Sequence, residues 1–165
     1  MNNIPVPMDI PLPLPLPELV LKILIIISFL AHILFINLMI GGTLLTLYFQ
    51  LRGLKDPEYD LLAKEIAKTI TVNKSLGVVL GVAPLLIINT LYTVYFYSAN
   101  ALTGYAWISV IPLITIAFLL LYLHKFTWES PWMTKKRHIA IVATAAAIFL
   151  FVPLISSIRL FSMHE

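Results

Sequence analysis

Residues 23–51 read ILIIISFLAHILFINLMIGGTLLTLYFQL, an apolar run long enough to cross a bilayer, with one histidine, His32, well inside it. An ionisable ring is costly to hold in hydrocarbon, so such a histidine is expected to face protein or a bound group. At about 100° per residue, Ser28, His32, Phe35, Met39, Thr43, Thr46 and Gln50 fall on one narrow stripe of the predicted helix. That stripe is predicted to face protein. Its small and soft side chains suit a haem or metal ligand beside a flat cofactor, and equally a neutral imidazole bonded to a neighbouring helix. Asn37 lies about 180° from the middle of the stripe, and Gly41 falls within about 40° of Asn37. A polar amide on the back face is expensive in lipid, so the first helix is expected to be covered on both sides, the second cover being another membrane chain.

The rest of the chain agrees with a membrane setting. Of 165 residues, 60% are hydrophobic and 12% charged, with a mean hydropathy of +0.95, which marks an all-α integral membrane protein. There is no cysteine, which excludes disulfides, iron–sulfur clusters, thiolate ligands and covalent attachment of c-type haem. The formal charge of +3 comes from basic residues that flank apolar segments, so it reports topology and not nucleic-acid binding. No nucleophile, acid pair or phosphate loop points to soluble enzyme chemistry, so the chain is at most a subunit of an oxidoreductase complex.

Residues 1–17 carry prolines at 5, 7, 11, 13, 15 and 17, a spacing that excludes a helix and favours an extended polyproline II segment. No basic n-region or small-residue cleavage site precedes the apolar run, so the first helix is expected to be retained. The transmembrane domain, residues 18–160, is predicted as a four-helix bundle with spans at about 19–51, 73–97, 106–124 and 139–158. Between the first two spans, Leu61, Leu62, Ile66 and Ile70 recur at helical spacing among charges, which predicts an amphipathic surface helix leading into span two. Nine Lys and Arg fall in the loops after spans one and three, namely Arg52, Lys55, Lys64, Lys68, Lys74, Lys125, Lys135, Lys136 and Arg137, against Lys22 and Arg159 on the other side. The asymmetry predicts both loops in the cytoplasm and both termini outside an inner, cytoplasmic membrane. Trp107, Trp128 and Trp132 are then expected near the interfaces. Gly77 and Gly81 form a GxxxG through which another helix can approach, and Pro84, Pro112 and Pro153 lie inside spans two, three and four.

His124 ends span three and His138 begins span four, both beside basic residues. Either they are solvated at the interface, or they pair around a haem edge, a metal or a quinone head group, with the basic residues holding propionates or anionic lipid. His32 lies about 15 Å from the outer edge, too far to share an iron with them. His164 belongs to the C-terminal tail.

Three stretches carry a resemblance: AHILFINLMIGGTLL around His32, YDLLAKEIAKTITVNKSLGVVLGV into span two, and LHKFTWE followed by KKRHIA at the start of span four. Together they resemble the first four-helix bundle of subunit I of cytochrome bd quinol oxidases, over about residues 18–155. The resemblance implies that His32 is an axial ligand of a haem b. The acidic residues of that family's third helix are replaced near Ser109 and Ala117, and its second bundle and quinol loop have no counterpart. An oxygen-reducing site is therefore not expected. The chain looks more like a shortened relative of the kind associated with c-type cytochromes. A first-helix histidine followed by Gly41 and Gly42 is also similar to small haem or copper membrane proteins of the copper-resistance type.

Two functions are thus carried forward. One is a membrane subunit of a respiratory electron-transfer complex that binds haem b through His32, with a quinone and a c-type cytochrome as partners, beside other membrane subunits or a second copy. The other is a cofactor-free scaffold that anchors a larger assembly.

Overall fold

The computed structural model describes residues 13–162, apart from the side chains of 72–75, 102 and 158–162. The prolines at 5, 7 and 11, and His164, lie outside the described residues. Four helices follow one another: α1 (Glu18–Arg52), α2 (Pro57–Leu91), α3 (Thr93–Phe126) and α4 (Lys135–Ser162). The protein is all-α, as the apolar periodicity requires. Three helices, α1, α3 and α4, are long and apolar enough to cross a membrane, and α2 makes a fourth if its two halves count as one bent span.

Local chemistry sets the ends. Residues 13–17 are not helical, and Pro17, at φ −53° and ψ 137°, is in the polyproline II region just before α1 starts. α1 stops at Gly53, whose N–H bonds the Phe49 carbonyl. Asp56 then caps α2 by accepting from the Glu58 N–H at 3.0 Å, with Pro57 at the first helical position.

Successive helices run antiparallel. Gly42 of α1 faces Ile70 of α2 while His32 faces Gly81, and in the second hairpin Phe118 meets Phe149 while His124 meets His138. α1 lies beside α2 and α4, and α3 beside α4 and α2, closing a four-membered ring. The two loops of the hairpins share one end, here the basic end: the Lys135 ammonium donates to the Gly53 carbonyl and lies 3.4 Å from the Asp60 carboxylate. Near that end all four helices contribute to one core, Met39, Ile70, Ala117, Leu121, Ala145 and Phe149. Toward the other end α1 is less covered, with no residue buried between Leu21 and Met39, although Leu21 itself, Ala99 and Ile155 are buried there.

Two expectations need correction, the end of span two and the face that its first half turns inward. Span two does not reach 97: α2 ends at Leu91, Tyr92 alone makes the turn at φ −122° and ψ 41°, and 93–105 belong to α3. No Gly or Pro marks this turn, so the aromatic run after it read as a continuation of the same span. The segment after α1 leads into span two, as its periodicity predicts: Pro57–Thr71 and Leu76–Leu91 form one helix bent by 41°. Its inward face is Ala63, Ala67, Ile70 and Thr71, while Leu61 and Leu62 stay exposed; the two alanines let α2 approach its neighbours closely.

Candidate functional site

The stripe on α1 faces protein as its spacing predicts. Met39, Thr43, Thr46 and Gln50 are buried, and Ser28, His32 and Phe35 half-buried. The hydroxyls along it are satisfied within the helix: Thr43 donates to the Met39 carbonyl at 2.7 Å and Thr46 to the Gly42 carbonyl at 2.8 Å. His32 instead reaches across to α2. Its Nδ1 lies 2.9 Å from the Gly77 carbonyl, and because a carbonyl only accepts, Nδ1 carries the proton and donates. In a neutral ring the lone pair is then on Nε2, and no group among the described residues bonds that atom.

Glycine makes this contact possible. A Cβ at Gly81 would stand 2.8 Å from His32 Cε1 and 3.1 Å from Nδ1, while a Cβ at Gly77 would meet Met39 Sδ at 3.2 Å. The GxxxG pair does admit a close neighbour, as its spacing predicts, and that neighbour is α1 of the same chain, with the imidazole seated over Gly81.

At the basic end the second pair of histidines comes together. The His124 and His138 rings lie 5.1 Å apart, edge to face, and Trp128 sits 5.1 Å from the first and 5.4 Å from the second. His124 is fully buried and His138 nearly so, which excludes the solvated alternative. His138 Nε2 donates to the Thr127 carbonyl at 3.1 Å, leaving His138 Nδ1 and both nitrogens of His124 buried without a partner among the described residues. The rings are in van der Waals contact, so they form a closed cluster and not a slot. Trp128 was expected only as an interfacial residue. The signal for its inward role is its position four residues after His124, one helical turn on, just where α3 ends.

Outside the bundle, the turn between α3 and α4 is tied to α2 by Lys64 and Glu129 at 2.6 Å, and the ammonium holds that carboxyl below the usual carboxylate range. Among the described residues no group of three or more His, Asp and Glu side chains is placed to hold a metal ion.

The described residues form an all-α protein with three or four helices long and apolar enough to cross a membrane, one half-buried histidine bonded between two helices, and a second, closed pair of histidines at one end. Comparison with protein-family models, with curated proteins and with solved structures finds no match.

Proposed function

We propose that this chain is a membrane subunit of a respiratory electron-transfer complex, and that His32 Nε2 is an axial ligand of a haem b. One observation supports this reading above the others. The Nδ1–H bond to the Gly77 carbonyl fixes the tautomer and the ring plane, the second-shell arrangement that makes an imidazole a good metal ligand. Phe35, Ile36 and Met39, which follow His32 on α1 and lie against Gly77, are apolar and soft, and no residue of α1 between Leu21 and Met39 is buried by the chain itself. A haem bound there supplies a one-electron carrier. The chain itself would hold the ring, shield it from water and orient it between the helices. Electrons would pass between a quinone pool and an external c-type cytochrome, with the N-terminus outside and the basic end in the cytoplasm. The closed packing of His124, His138 and Trp128 makes His32 the better place for haem.

The cofactor-free scaffold is the second reading, favoured by the fact that the same Nδ1–H bond ties α1 to α2 without any ligand. A visible spectrum of the protein purified from its own membrane, with pyridine haemochrome analysis, separates the two. The proposal expects a b-type Soret band that His32→Ala removes while the protein still inserts. Absence of bound haem, or an unchanged spectrum in the variant, would support the scaffold.

A further inference from the structure

The back of α1 holds an exposed polar amide in the middle of the apolar run. Asn37 is exposed, as its place on the helical wheel predicts, and stands midway between Lys22 and Arg52. Thr43 and Thr46 satisfy their hydroxyls on carbonyls one turn back, yet the Asn37 amide makes no hydrogen bond among the described residues. It stands about 22 Å along α1 from Lys22 and from Arg52, with Glu65, paired to Lys68, lining the same groove, and an amide left unpaired in an apolar surface is costly. Beside it, a Cβ at Gly41 would meet nothing within 4 Å. Asn37 and Gly41 open into a groove of about 470 Å³ between α1 and α2, floored by Ile66 and Ile70 and edged by Leu45 and Thr69.

We propose that this groove seats α1 of a second copy of the chain, in a parallel dimer with two-fold symmetry in which the two Asn37 amides bond each other. Three observations select a second copy over a different chain. A carboxamide carries both donor and acceptor, so it complements itself across a two-fold axis. Two copies inserted with the same topology bring Asn37 to the same depth automatically, whereas another protein would need a polar group of its own at that level. The surface also offers both halves of the contact: Leu34 and Leu38, 67% and 43% exposed, are ridges, and the open space at Gly41 is the hollow that accepts them.

None of the 165 residues is a cysteine, which makes the test direct. Gly41→Cys in native membranes, treated with a mild oxidant, should give a disulfide-linked species of twice the chain's mass. Ile111→Cys, on an exposed face of α3, should not. In the Gly41→Cys background, Asn37→Leu should weaken self-association about tenfold, while Asn37→Gln, which keeps the amide, should stay close to the parent. Equal cross-linking at the two cysteine positions, an adduct that is not two copies, or no effect of Asn37→Leu would each overturn the proposal.

Discussion

Two adjacent glycines in α1 show how sharply single positions differ. A Cβ at Gly42 would fall 2.2 Å from Ile70 Cγ2, on a β-branched side chain that is buried and has little freedom to turn away. Gly42→Ala is therefore expected to destabilise the bundle by about 1–3 kcal/mol in detergent unfolding, the usual cost of overpacking. Gly41→Ala should leave the isolated chain unchanged or slightly more stable, since it adds helix propensity and meets nothing. If both variants unfold alike, α2 is not seated against Gly42. Gly81→Ala displaces the His32 ring and should cost a similar amount, with loss of any spectral signal that depends on the ring. At this scale the spacing of Ser28 to Gln50 was enough to orient α1, because one helix carries its own periodicity. The seat of His32 on Gly77 and Gly81 was not readable, since nothing in the sequence says which two helices face each other.

Within α2, the residues that make the contact are the ones with least to bury. Ala63 has no exposed surface and Ala67 almost none, so Ala63→Leu should destabilise by about 1–3 kcal/mol, whereas Leu61→Ala, at a position 65% exposed, should be close to neutral. A hydropathy reading assigns the opposite importance because it weights large side chains; close helix contact weights small ones. The turn at Tyr92 escaped for a related reason: aromatic residues punctuate a membrane interface without breaking hydropathy. The first turns of α2 are also held, by charge, to the turn between α3 and α4. The Lys64 ammonium stabilises the ionised Glu129 carboxylate, so the folded-state pKa lies below the unfolded one. This contribution is present above the unfolded value and is lost as pH falls through the folded one. Glu129 is fully exposed, so the effect is small: the difference in unfolding midpoint between wild type and Glu129→Gln, read at neutral pH, should vanish in acid. A difference that grows on acidification would exclude the ion pair as its source.

Across the whole molecule, both hairpin loops are gathered at one end by Lys135, and the shared core lies close behind them. Single cysteines at Lys136 and at Asn3 should react with an impermeant thiol reagent from opposite sides of the membrane, Asn3 from outside. Equal or reversed labelling defeats the proposed topology. That several helices are long and apolar enough to cross a membrane was legible from hydropathy, because bilayer thickness sets their length; whether they are three or four was not, because it turns on how the bent α2 is counted. Nor was the contrast between the basic end and the end where α1 is less covered, because it depends on contacts between distant parts of the chain. The apolar part of α1, residues 23–51, rises about 44 Å at 1.5 Å per residue, against about 30 Å for the hydrocarbon of an ordinary bilayer. Such a rod meets its surroundings by leaning or by thickening them. With the basic end clamped, the lean is taken up where α1 is less covered, so the spread of the helices at that end becomes a function of the lipid. Reconstitution into phosphatidylcholines of increasing acyl length should bring α1 upright and raise the thermal midpoint, until the acyl chains match the helix.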